Sequence, residues 1–395
     1  MTTTTAPAEP LAAPAPTGPA TVALLLPLSG ERAVLGRDLL DAATLALFDL
    51  GRDDLLLLPK DTGGAPAQAA AMATAALAEG AHLVLGPVVA PEVGAVAPVA
   101  TAAGVPMVAF SSDRRVAADG VFVFGLAPED QIDQVVAYAA GQGRTRFAAL
   151  APDTDTGRIM VRALAASTAL RGVLMAQPGY YEPGAIDQNG AVGAFANMGT
   201  RGSAIALQRA SLEGRDDKAA HVARVRLDQA AGLGELGYDA VLLPDAGSSL
   251  RSVAALLPFF DIAAPGVQVL GTADWDDPKT LAEPGLTGAW FAAPDPALKT
   301  AFAQRFEAAF GRKPRARASL AYDAIALAGA LVATAPEAPF TTDRLTRPSG
   351  FAGIDGVFRF HADGTSQRTF AIYEVREGTA QLIAPAATSF GTPTQ

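Results

Sequence analysis

Short apolar runs, each closed by small or polar residues and followed by a longer stretch of helical period, recur along this chain from Thr21 onward. That alternation builds β-α-β units, and such units assemble into parallel sheets covered by helices on both faces. The first unit is TVALLLPLSGERAVLG, from Thr21 to Gly36: a buried strand over 22–26, a polar turn over 27–31, and a helix running to about Leu50. Strands follow over 55–58, 82–85, 105–110 and 121–126. Between them lie helices over 66–79 and 91–103, which stop at Gly80 and Gly104 as glycine C-caps predict.

The pattern then restarts. A helix over 130–141, a strand over 147–151, the turn PDTDTG over 152–157, a helix over 158–170 and a strand over 173–176 repeat the first arrangement. The signal weakens between Gly179 and Gly237, where 222–231 reads helical. It returns with strands over 238–243 and 267–270 around a helix over 250–259. A strand over 288–292, helices over 296–310 and 319–333, and strands over 356–360 and 370–375 complete the chain. The last two strands are joined by His361-Ala362-Asp363-Gly364, a hairpin signal.

At 395 residues the chain exceeds what one hydrophobic core usually supports. The expected fold is α/β: two Rossmann-like lobes with parallel-type sheets flanked by helices, and a hinge between them. Helices that follow the second run imply that the chain crosses back, so each lobe is discontinuous. The N-terminal lobe is expected over 21–127 plus 294–350, and the C-terminal lobe over 128–293 plus 351–390. Residues 1–20, a Pro/Ala/Thr tract, read as a disordered linker or tail. Such a tract suits a mature exported chain, or a lipoprotein whose lipid tether lies outside this sequence.

Composition narrows the function. Lys plus Arg number 30 against 40 Asp plus Glu, for a formal charge of −10, and the densest basic run, RKPRAR from Arg312 to Arg317, reads as a solvated loop. Nucleic acid is therefore not an expected partner. No cysteine is present, which excludes disulfides and thiolate chemistry, and no apolar run reaches the roughly 18 residues of a membrane span.

Enzyme motifs are missing. His82, His221 and His361 fall in a strand, a helix and a hairpin, a spacing that favours neither a zinc site nor a catalytic triad. Gly232, Gly234 and Gly237 match G-x-G-x-x-G, but they follow a helix and precede a strand, the reverse of a dinucleotide site. No catalytic residue, metal or cofactor is expected. The candidate binding residues instead lie in loops leaving the carboxyl ends of strands. Ser29, Gly30, Asp61, Gly86, Pro87, Ser111 and Ser112 come from the first lobe; Asp153, Thr156, Asp245, Asp274 and Trp275 come from the second. Hydroxyls and helix-leading amides suit a carboxylate, an aspartate suits an ammonium, and Trp275 could stack on an apolar or ring group. A small polar ligand in the interlobe cleft, with hinge closure around it, is the corresponding expectation.

Four stretches carry a family resemblance: PLSGERAVLG (Pro27 to Gly36), KDTGGAPAQAAAMATAALAEGAHLVLGP (Lys60 to Pro87), GVPMVAFSSD (Gly104 to Asp113) and AYDAIALAGAL (Ala321 to Leu331). With them the chain resembles the type I periplasmic binding protein superfamily from Thr21 onward. Several runs look more like its penicillin-binding protein activator branch: YDAVLLPD (Tyr238 to Asp245), LGTADWDD (Leu270 to Asp277), GAWFAAPDP (Gly288 to Pro296) and GFAGIDGVFRFHADG (Gly350 to Gly364). That resemblance implies a non-enzymatic, periplasmic cell-envelope protein that activates a peptidoglycan synthase, lipoprotein-tethered in such relatives. The alternative it implies is an ABC-transporter receptor for an amino-acid-like or small amide solute. In such receptors a serine or threonine after strand four and an acid from the second lobe grip the zwitterion. Ser111, Ser112 and Asp274 stand near those places, whereas Thr156 and Ala246 replace tyrosines that commonly close the second lobe. Known activators also carry a helical-repeat domain ahead of this one, and no such repeat precedes Thr21 here.

Overall fold

The computed structural model describes residues 18–197, 210–215, 217–222, 236–315 and 317–390. In chain order the strands are β1 (Ala20–Leu26), β2 (Leu55–Asp61), β3 (Leu83–Leu85), β4 (Met107–Ala109), β5 (Val121–Val123), β6 (Arg146–Pro152), β7 (Leu174–Met175), β8 (Gly179–Tyr181), β9 (Ala240–Leu242), β10 (Gln268–Gly271), β11 (Trp290–Ala293), β12 (Phe358–Phe360), β13 (Ser366–Arg368), β14 (Ala371–Arg376) and β15 (Thr379–Ala384). The principal helices are α1 (Ala33–Leu50), α2 (Pro66–Ala78), α3 (Ala90–Ala102), α4 (Pro128–Gly141), α5 (Asp155–Arg171), α6 (Asn189–Phe195), α7 (Gly247–Ala254), α8 (Pro296–Phe310) and α9 (Ala318–Thr334). The chain divides into two compact units. The first takes residues up to Ala127, Pro294–Thr369 and those from Ala387; the second takes Pro128–Ala293 and Phe370–Ala386.

The first unit holds a parallel sheet of order β2-β1-β3-β4-β5. Alternation along β1 sends Val22, Leu24 and Leu26 to a face covered by α1, α8 and α9, and Ala23 and Leu25 to a face covered by α2 and α3. Alanines at 69, 73 and 76 let α2 sit close on that second face. The edge strand β2 is protected by its sequence. Ala20 N–H donates to Asp54 and Thr62 N–H donates to Leu26, so even-numbered residues of β2 turn their amides toward β1 and odd-numbered ones face the open edge. Pro59 therefore removes an N–H where another strand would pair.

Residues 351–369, and likewise 387–390, cluster with the first unit rather than the second, where the sequence placed them. The cause for 351–369 is aromatic packing: Phe358 lies 4.6 Å from Phe124 and Phe360 lies 5.1 Å from Phe122, ring centre to ring centre, inside the first unit's core. The hairpin at 361–364 exists, but it joins β12 to β13 and not to the strand over 370–375. Ser366-Gln367-Arg368 carries no apolar signal and was unreadable as a strand.

In the second unit the parallel strands run β7-β6-β9-β10-β11, and antiparallel β14 and β15 extend the sheet beyond β11. The parallel strands repeat the first unit's connectivity, in which the second strand in sequence is outermost and the first and third are neighbours. Here the outer strand is broken in two, β7 pairing with the start of β6 and β8 with its end. Helices α4 and α5 pack on one face, and α6 and α7 with Trp275 on the other. Strands β8 and β15 and helix α6 were not foreseen. Most of the helix expected over 222–231, and Gly232 and Gly234, lie outside the described residues. The expected tail over 1–20 overlaps β1 at Ala20, which is buried; its first 17 residues also lie outside the described ones.

Candidate functional site

In a sheet of this order the strand ends flanking the reversal, β1 and β3, are where ligands usually bind. In the first unit the loops after β1 and β2 are bound together by one side chain. The Asp61 carboxylate accepts backbone N–H groups from Leu28 at 2.8 Å, Ser29 at 3.1 Å and Gly63 at 2.8 Å. Desolvation works to raise this carboxyl, but hydrogen bonds from the Ser29 side chain and those backbone amides hold it below the usual carboxylate range. Asp61 thus shapes the loop that presents exposed Ser29 and Gly30. Gly30 has φ +76°, and a Cβ there would come within 3.1 Å of the Gly63 carbonyl, so this turn suits glycine alone.

Gly86 and Pro87 are buried and joined by a cis peptide. A Cβ on Gly86 would stand 2.3 Å from the Leu25 carbonyl, so glycine lets β3 leave the sheet against β1. Ser111, after β4, is buried and its hydroxyl accepts the Asp113 N–H at 3.1 Å; Ser112 beside it is half-buried. An unforeseen residue belongs with these loops. Glu92, in the first turn of α3, is 1% exposed and neither carboxylate oxygen has a hydrogen-bond partner. Burial pushes its carboxyl up, against the opposing charge of Arg32. In the sequence Glu92 is indistinguishable from an ordinary acid at a helix start.

In the second unit, Asp153 is exposed and paired with Arg158, whose guanidinium also lies 5.0 Å from the Tyr180 ring centre. Thr156 is exposed in the first turn of α5, where Thr154, not Thr156, caps the helix. Asp245 is engaged on both oxygens: Tyr181 donates its hydroxyl at 2.6 Å and Ala246 its N–H at 2.8 Å. Burial, and then the hydrogen bond to and charge of Asp245, push the Tyr181 phenol upward, with Ser249 opposing. Tyr181 escaped the sequence reading because β8 has too few residues to show a period.

Asp274 is exposed, while its neighbour Trp275 is fully buried. The indole packs against Gly271, where a Cβ would fall 2.2 Å from the ring, and against Phe291. Trp275, expected to offer a face to a ligand, is a core residue; its Nε1, like the Thr272 hydroxyl, has no hydrogen-bond partner. Among the described residues no cluster of three or more His, Cys, Asp or Glu side chains could hold a metal ion, and no helix is long and apolar enough to cross a membrane.

A family model described as periplasmic binding protein matches residues 19–380. No curated protein matches the chain. Among solved structures, a Rhodospirillum rubrum protein assigned as a branched-chain amino acid ABC transporter gives a TM-score of 0.71 at 20% identity, over 92% of this chain and 100% of that one. The C-domain of LpoA (YraM) from Haemophilus influenzae, a regulator of PBP1A, gives 0.65 at 16% identity over 92% and 100%. The isoleucine complex of LivJ, a branched-chain amino acid transporter substrate binding protein from Streptococcus pneumoniae, gives 0.54 at 17% over 93% and 100%. At such identities the likeness shows a shared fold, that of the type I periplasmic binding proteins.

Proposed function

The chain belongs to the periplasmic binding protein family, and from that premise we propose that it is a non-enzymatic regulator of the cell envelope that docks on a peptidoglycan synthase in the periplasm. The observation that carries this reading is the state of three of the four candidate aspartates at the strand ends. Asp61 holds three backbone amides, Asp153 is paired with Arg158, and Asp245 is taken by Tyr181 and Ala246. Acids already spent on holding their own loops are poor partners for the ammonium of a free amino acid, because a ligand must first displace those bonds. The likeness to the LpoA C-domain is consistent with a protein partner. The test is a glycan-polymerisation assay with a bifunctional synthase of the source organism. Saturable stimulation by the purified protein is expected, and absence of both binding and stimulation would refute the proposal.

A second reading, a solute receptor of an ABC transporter, is favoured by Ser111 and Ser112 after β4 and by the likeness to amino acid receptors. It predicts thermal stabilisation by an amino acid or small amide.

A further inference from the structure

The first unit buries a set of charges that the strand-end loops do not use. Asp323 on α9 is 2% exposed and Asp355, in the loop before β12, is 0% exposed. One oxygen of each is satisfied: Asp323 accepts the Ile354 N–H at 2.8 Å, and Asp355 accepts the Ser319 hydroxyl at 2.6 Å. The other oxygen of each, Oδ2 of Asp323 and Oδ1 of Asp355, has no hydrogen-bond partner. Two cations face these atoms at long range. Arg368 Nη1, on β13, lies 3.7 Å from Asp323 with a side chain 3% exposed, and Lys299 Nζ, on α8, lies 3.6 Å from Asp355 with a side chain 35% exposed.

The arithmetic of burial is unequal. Two desolvated carboxylates share one fully desolvated cation, since Lys299 keeps part of its hydration. A second buried negative charge would be compensated only across a long gap to a half-hydrated ammonium, and such charges are costly unless closely paired. A buried acid that faces a second buried negative charge keeps its proton to higher pH than a free one.

We propose that Asp323, buried beside Asp355, holds a proton at neutral pH, and that its loss as pH rises loosens the segment 351–369 from the first unit. The geometry ties the acids to that segment. Gly353 lies so close to Asp323 that a Cβ there would come within 2.5 Å of Oδ2. Arg368 also donates to the Gly356 carbonyl at 3.5 Å and stacks over Phe124 and Phe358 at 4.8 and 5.0 Å from the ring centres. In the same sense, burial lifts the Asp323 carboxyl to about 7, Arg368 opposing and the Asp355 charge adding. Because the folded state then binds the proton more tightly than the unfolded chain, this contribution is complete in acid and is lost as pH rises through about 7. The segment concerned ends one residue before the chain leaves for the second unit, so the proton acts on an exit of the first unit.

Carboxyl-carbon NMR of the full chain labelled at aspartate tests this directly. One aspartate signal should titrate near neutrality in the wild type and vanish in Asp323→Asn. In Asp355→Asn its midpoint should fall by about half a pH unit or more, because a neighbouring negative charge that opposes ionisation is gone. Limited proteolysis within 351–369 should quicken between pH 6 and pH 8.5 in the wild type, after correction for protease activity. A wild-type spectrum in which every aspartate titrates in the ordinary acidic range would overturn the proposal without any variant needing to fold. So would a near-neutral signal that Asp355→Asn leaves unmoved.

Discussion

Asp61, Asp245 and Trp275 were read from the sequence as residues for a ligand to touch, and each is spent on the protein itself. Position was legible: an acid after an apolar run marks a strand end. Engagement was not, because it depends on which backbone amides or hydroxyls the neighbouring loops bring within reach. Asp61 gives the clearest consequence. Asp61→Asn should cost about 2 kcal/mol in urea unfolding, since amides gathered by a charged acceptor lose much of that attraction. Its carboxyl is held low in the folded state, so its stabilisation is present above the ordinary carboxylate range near ~3.9 and is lost as pH falls through the folded value. Wild type and variant should therefore converge in acid; a difference unchanged down to the acid limit would show that Asp61 acts by some other route.

At the scale of elements, the β-α-β rhythm of the first unit could be read almost strand by strand, because β1, β3, β4 and β5 are buried on both faces and their apolar runs are unbroken. The weaker parts were short and polar. Strand β13 and the broken outer strand β7–β8 take their form from what they pair with, which no local period reveals. Two substitutions probe this level. Phe358→Ala should cost about 3–5 kcal/mol by emptying the space between Phe124 and Phe351, and should expose 351–369 to protease. A loss below about 1 kcal/mol would mean the segment is held chiefly by its charges. Pro59→Val restores an outward N–H on an edge strand whose Leu56 is 49% exposed, so self-association should increase in sedimentation experiments. An unchanged monomer fraction would place the protection elsewhere along that edge.

For the molecule as a whole, the assignment of segments to units followed from the order of strands and helices, except for 387–390 and for 351–369, the latter because its aromatic contacts outweighed its place in the sequence. The family follows from a match over residues 19–380, while the partner rests on the engaged acids described above. Calorimetric titration of the purified protein with a bifunctional peptidoglycan synthase, and in parallel with a panel of amino acids and small amides, separates the two readings. The account predicts saturable heat with the synthase and none with the small molecules, together with an unchanged melting temperature in their presence. An amino acid present at ~100 times its Kd would stabilise the fold by ~2.7 kcal/mol. Such a shift, with no heat from the synthase, would contradict the account and make the protein a solute receptor.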